Sequence, residues 1–99
     1  MKVESKQELI MELAKIKPIL SNDFGVIQIG IFGSFAKDRI NSESDIDLLV
    51  EMKNSDFDSF VGLKIFLEKL LERNIDLVRK RNQIKPAFLQ RIQKDIINV

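Results

Sequence analysis

Two aspartates separated by one residue, Asp45 and Asp47, stand at the start of a short apolar run. Side chains of a strand alternate between its two faces, so a strand beginning at Asp45 would place both carboxylates on one face. Such close carboxylates repel each other unless a cation lies between them. Magnesium suits this role because it can also keep waters and phosphate oxygens as ligands. The pair predicts a metal site for phosphoryl or nucleotidyl transfer.

A glycine-serine turn, Gly33 and Ser34, ends the apolar run that precedes this pair. Glycine lets the backbone approach a ligand closely, and the free N-H groups of a following helical turn attract phosphate. Ser34 adds a hydroxyl donor. A turn of this kind is by itself more often structural, but about ten residues later the chain reaches the paired aspartates. The combination predicts that a triphosphate binds next to the metal.

A third carboxylate, Asp76, lies in the apolar stretch IDLV. A buried charge without a partner would be costly there. On a strand beside Asp45 and Asp47, however, Asp76 could share the metal and accept a proton from an attacking hydroxyl. The alternative interpretation is an aspartate at a strand end that faces solvent.

A second pair with the same spacing, Asp56 and Asp58, is interpreted differently. It stands at the start of a predicted helix, where residues two apart point about 200° away from each other. We therefore expect helix capping and a favourable interaction with the helix dipole rather than metal binding.

Composition narrows the chemistry further. The chain has 99 residues, of which 44% are hydrophobic, and no cysteine or histidine. This size predicts a single domain over residues 1–99. Thiolate and imidazole ligands are excluded, so a metal must bind to oxygen atoms, which favours magnesium or manganese over zinc. With neither a secretory signal nor an apolar run of roughly 20 residues, cytoplasmic residence is the default expectation.

Periodicity and breaker residues predict an α/β fold, in which a small mixed sheet of about three strands has helices packed on it. The predicted strands are residues 26–32, 45–51 and 75–78. The predicted helices are residues 6–17, a short turn from about residue 34, residues 56–73 and a last helix from Pro86 whose apolar face includes Ile96. A turn is expected at residues 22–25 and a basic loop at residues 79–85.

Three segments together resemble the minimal nucleotidyltransferase family of the DNA polymerase beta superfamily: GSFAK at residues 33–37, SDIDLLV at 44–50 and IDLV at 75–78. The resemblance covers almost the whole chain and implies the polymerase-beta-like nucleotidyltransferase fold. It further implies the roles of the site residues. Gly33, Ser34 and Lys37 would bind the triphosphate of ATP, Asp45 and Asp47 would hold magnesium, and Asp76 would complete the metal site and assist deprotonation of the acceptor.

Larger relatives carry an extra domain that binds the acceptor, so here a second protein or a second copy must supply that recognition. Proteins of this kind are commonly antitoxins paired with a HEPN toxin, to whose tyrosine they transfer AMP. The resemblance therefore implies a magnesium-dependent protein adenylyltransferase with a cognate HEPN toxin as partner.

Two alternatives remain open. The family typically has Arg-Gly where this chain has Lys37 and Asp38, and lysine lacks the bidentate fork of arginine. The protein could therefore be an antitoxin that neutralises its partner by binding alone. Transfer to a small molecule such as an aminoglycoside is the other alternative. Direct nucleic-acid binding is disfavoured because the chain has no Tyr or Trp for base stacking and only a short basic cluster.

Overall fold

A four-stranded mixed sheet organises the computed structural model, which describes residues 2–54, 56–80 and 85–99. The strands are β1 (Val26–Phe32), β2 (Ile46–Met52), β3 (Ile75–Arg79) and β4 (Ile97–Asn98). Their order is β3-β2-β1-β4, with β2 and β3 parallel and the other neighbours antiparallel. The predicted fold class is confirmed, although the sheet has four strands rather than about three.

Five helices in the described part of the chain accompany the sheet: α1 (Lys6–Lys15), α2 (Lys17–Phe24), α3 (Gly33–Ala36), α4 (Phe57–Leu71) and α5 (Pro86–Gln93). None of them is long and apolar enough to cross a lipid bilayer. The first begins at a cap in which Ser5 Oγ accepts a hydrogen bond from the N-H of Glu8 at 3.1 Å, as the sequence predicts.

The prediction of one N-terminal helix followed by a turn at residues 22–25 is wrong, because the chain forms α1 and then α2. Pro18 lies in the first turn of α2, where the missing N-H of proline costs no hydrogen bond. Gly25, with a φ of 67°, ends α2 in the left-handed conformation that glycine adopts easily. Pro18 therefore begins a second helix rather than ending the first.

The core lies on one face of the sheet. Residues of β2 alternate between buried and partly exposed along the whole strand, so a single face enters the core. Helices α1, α2 and α4 contribute to the same buried cluster, including the fully buried side chains Leu9, Leu13, Leu63 and Leu67. The opposite face of β2 carries Asp47, Leu49 and Glu51, which are partly exposed.

The C-terminal half differs from the prediction mainly after α5. Asp56 caps α4 by accepting a hydrogen bond from Ser59 N-H at 2.9 Å, as predicted for this aspartate. Helix α5 ends at Gln93, so Ile96 is not part of it, and the following residues pair with Gly30 and Ile31 of β1 as β4. Arg79 belongs to β3 rather than to a loop, and residues 81–84 of the predicted loop lie outside the described residues.

Candidate active site

The strand register brings together the ends of three segments that the sequence singles out. Asp47 is paired with Phe32 of the antiparallel neighbour β1 and with Asp76 of the parallel neighbour β3. Phe32 is the last residue of β1 and Gly33 follows it. The glycine turn and the aspartates of two further segments therefore meet around Asp47.

Asp47 and Asp76 are register partners on neighbouring parallel strands, so their carboxyl groups lie close to each other. Burial raises the pKa of Asp47 from 3.8 to about 6, and the charge of Asp76, a side-chain hydrogen bond with Asp76 and the charge of Asp45 add to the increase. Close carboxyl groups repel each other when both are charged, and a cation between them removes this repulsion.

Asp45 and Asp76 are both exposed, whereas Asp47 is partly buried. Asp45 immediately precedes β2, and its charge is near enough to affect the pKa of Asp47. Asp76 is exposed rather than enclosed by its apolar neighbours, so the expected cost of a buried charge does not arise. No group of three acidic side chains in the described ranges is arranged as a finished metal cage. The structure offers a carboxylate pair with a third carboxylate beside it.

Gly33 is required by the position of Asp47. Its φ is 71°, and an added Cβ would lie 2.8 Å from Asp47 Cγ and closer still to Oδ2. A side chain at this position would therefore displace the carboxylate and strain the backbone. Helix α3 starts at Gly33 and includes Ser34, so the serine directly follows the glycine that lies against the Asp47 carboxylate.

Lys37 lies just after α3, and its ammonium nitrogen is 4.0 Å from Asp95 Oδ2. The next residue, Asp38, has a positive φ of 57° and forms an ion pair of 2.9 Å with Lys6. Lys6, the first residue of α1, therefore partly compensates the negative charge of Asp38. Lys37 is half exposed and weakly paired, so it remains accessible to an anionic ligand.

A cleft of about 210 Å³ adjoins the glycine turn, and its far wall comes from α5. The rings of Phe32 and Phe88 meet edge to face at 6.0 Å, and the guanidinium of Arg91 lies 5.9 Å from the ring centre of Phe88. Lys37 also lines this cleft. The contribution of α5 to this cleft was not predicted from the sequence. The three-residue spacing of Phe88 and Arg91, which places both on one helix face, could have indicated it.

The donor atoms of the site fit a divalent cation of the magnesium type. Such cations prefer carboxylate oxygens and need only one or two of them when substrate phosphates complete the coordination. The contact between Asp47 and Asp76 supplies oxygens in direct proximity, and Asp45 adds negative charge. The space that Gly33 leaves by lacking a Cβ gives a ligand close access to the same carboxylate.

Comparison with known proteins identifies the family. The profile described as "Polymerase beta, Nucleotidyltransferase" matches residues 14–99. A candidate protein adenylyltransferase of Methanocaldococcus jannaschii is 37% identical in an alignment of 90 residues, which covers 88% of this chain and 90% of the relative. The protein adenylyltransferase MntA of Thermococcus cleftensis is 31% identical over 94 residues, which are 94% of each chain.

Solved structures show the same fold. A candidate minimal nucleotidyltransferase superposes with a TM-score of 0.80 at 24% identity and 96% coverage of both chains. A mutant of the toxin-antitoxin pair MntA-HpeT gives a TM-score of 0.67 at 25% identity, covering 89% of this chain and 70% of the other. The complex of a tri-AMPylated Shewanella oneidensis HEPN toxin with its MNT antitoxin gives 0.63 at 23% identity, covering 90% and 69%. With its sheet, its glycine turn and its carboxylates arranged as described, the chain belongs to the polymerase beta nucleotidyltransferase family.

Proposed function

We propose that this protein is a magnesium-dependent protein adenylyltransferase that acts as an antitoxin, transferring AMP from ATP to a tyrosine hydroxyl of a cognate HEPN toxin. The observation that carries the proposal is the pairing of Asp47 with Asp76 on the neighbouring strand, beside the glycine turn. Family membership makes nucleotidyl transfer the reaction class. The names of the relatives and the toxin complexes among the structural neighbours support the choice of a protein acceptor.

In the proposed reaction, the acceptor oxygen forms a bond to the α-phosphorus of ATP while the bond from that phosphorus to pyrophosphate breaks. Asp45 and Asp47 would hold the magnesium ion, which would neutralise charge that develops on the phosphate oxygens. Asp76 would share this site and accept the hydroxyl proton.

The triphosphate would lie along the turn formed by Gly33 and Ser34. The backbone N-H groups at the start of α3 and the hydroxyl of Ser34 would donate hydrogen bonds to its phosphate oxygens. Lys37 would contribute a positive charge from the end of α3. A protein acceptor fits this small chain because the partner itself would supply the recognition surface.

Labelling of the partner tests this proposal. The protein is incubated with ATP, magnesium and a candidate HEPN partner that it binds, and intact mass spectrometry measures the AMP added to that partner. Asp47→Asn should abolish the label because the metal site loses a charged ligand. Asp58→Asn is the matched control, since it removes one aspartate of the other pair, in the first turn of α4, and should leave labelling intact. An unlabelled partner with the unaltered protein would refute the proposal.

A second candidate function is neutralisation by masking, which one observation favours. Lys37 is 4.0 Å from Asp95, so its charge is partly compensated before any triphosphate arrives. In this case the antitoxin would bind and cover its partner without modifying it. Neutralisation that survives the double substitution Asp45→Ala and Asp47→Ala would support masking. Its loss in a double variant that still folds and binds the partner would support catalysis.

A further inference from the structure

Arg73 joins all three segments of the candidate site, although it belongs to none of the motifs. It follows α4 and precedes β3, and only 8% of it is exposed. Its Nη1 donates hydrogen bonds to the carbonyl oxygens of Asn41 at 3.0 Å and Ser44 at 2.8 Å. Its Nε donates to the carbonyl oxygen of Val3. A buried cation thus holds the backbone immediately before Asp45.

The same guanidinium also contacts the helix of the glycine turn. It lies 5.0 Å from the ring centre of Phe35, which is fully buried in α3. Cation-π contacts of this kind gain strength where water is excluded. In addition, Arg73 is three residues before Asp76, so its own backbone leads directly into the third carboxylate. One side chain therefore connects α3, the loop before β2 and the entry to β3.

The loop before β2 has local order that Arg73 completes. Asn41 Oδ1 accepts a hydrogen bond from Glu43 N-H at 2.8 Å, and Ser44 Oγ accepts one from Asn41 N-H at 2.9 Å. These bonds close the loop on itself but do not attach it to the rest of the fold. The two bonds from Arg73 attach it, together with an exposed one from Lys2 Nζ to the carbonyl oxygen of Ser42 at 3.0 Å. The bonds from Arg73 are charge-assisted and partly shielded from water, which makes them stronger than neutral ones.

We propose that Arg73 is a positioning residue that fixes Asp45 relative to Asp47, Asp76 and the glycine turn, so that the carboxylates are preorganised for the metal. Arginine is suited to this role because its planar fork can donate to several carbonyls at fixed angles, which a lysine ammonium cannot reproduce. Residues that orient metal ligands typically change metal affinity or activity about 10–100-fold when replaced. The kinetic part of this inference rests on the proposed transferase function.

Hydrogen exchange gives the first test, and it needs no substrate. In Arg73→Lys, amide exchange in residues 41–45 should accelerate strongly while exchange in α4 changes little. Leu67→Ala is the matched control, since it removes side-chain volume at a fully buried position of α4 and should not loosen this loop selectively. Equal protection of residues 41–45 in Arg73→Lys and the unaltered protein would overturn the proposal.

Kinetics give the second test. Arg73→Lys should lower kcat for partner labelling about 10–100-fold and raise the magnesium concentration needed for half-maximal rate, with an unchanged KM for the partner. A comparable fall in kcat for Leu67→Ala would identify Arg73 as an ordinary stabilising residue. If Arg73→Lys does not fold, Phe35→Leu tests the same connection from α3 and should give a smaller effect in the same direction. A protein that labels nothing but shows the exchange effect would refute the proposed function and leave the role of Arg73 standing.

Discussion

Replacing Asp47 by asparagine removes one partner of the carboxylate contact between β2 and β3, and its effect on stability can be worked out from the structure. In the folded protein the pKa of Asp47 is raised from 3.8 to about 6. A carboxyl group with a raised pKa binds its proton more tightly in the folded than in the unfolded state. Its contribution to stability is therefore complete below the unfolded pKa and is lost as the pH rises through about 6.

The rise of the Asp47 pKa from 3.8 to about 6 corresponds to about 3 kcal/mol at most. Asp47 is only half-buried and solvent screens its interactions, so we expect about 1–2 kcal/mol. Asparagine stays neutral and can keep a hydrogen bond to Asp76. In metal-free buffer, Asp47→Asn should therefore gain about 1–2 kcal/mol relative to the unaltered protein between pH 4 and pH 7.

Urea denaturation followed by circular dichroism, with a chelator present and at several pH values, measures this difference directly. Asp58→Asn controls for the loss of one negative charge at an exposed position outside the pair. Magnesium should reverse the order at pH 7, because the cation stabilises only a folded state that retains its ligands. A free energy difference between Asp47→Asn and the unaltered protein that does not vary with pH would refute the carboxylate contact on which the prediction is based.

Three further substitutions test other parts of the structure. Gly33→Ala should lower the free energy of unfolding by about 1–2 kcal/mol, from the positive φ alone, and should abolish partner labelling because the new Cβ displaces Asp47. Denaturation and labelling measure the two effects. Asp56→Ala should destabilise the protein at pH 7 and progressively less in acid, because the hydrogen bonds from Ser59 lower the pKa of Asp56 and the cap is lost on protonation. An acid denaturation series measures this. Lys37→Ala should raise the KM for ATP without changing partner binding, and an unchanged KM would refute a role of Lys37 in triphosphate binding.

The part of the site that could be predicted from sequence depends on local signals. The β-branched run of Val26–Phe32 and the glycine after it define β1 and its end correctly. The two Asp-x-Asp pairs have the same spacing but different chemistry, since one precedes a strand and the other begins a helix. Context of a few residues is enough to tell them apart, because strand and helix periods differ.

The elements that sequence did not predict depend on tertiary contacts. Strand β4 has two residues and forms because β1 offers an edge to pair with. The apolar spacing of α5 continues to Ile96, so periodicity extends the helix past its end at Gln93. Here Ile96 packs against the backbone of Gly30, where an added Cβ would lie 2.8 Å from its Cδ1. A glycine within β1 thus accommodates a residue far away in sequence.

The pairing of Asp47 with Asp76 illustrates the same limit at the centre of the site. Both residues lie in recognisable strands, but chemistry requires that they be direct neighbours, and register decides this. A slip of one residue would move Asp76 to the opposite face of the sheet. Helix α4 joins the two strands, and Arg73, at its end, attaches the chain before Asp76 to the loop before Asp45. Arg73 thus ties the entry of β3 to the loop before β2 through hydrogen bonds to residues 32 and 29 positions away in sequence, a connection that no motif of the strands themselves contains.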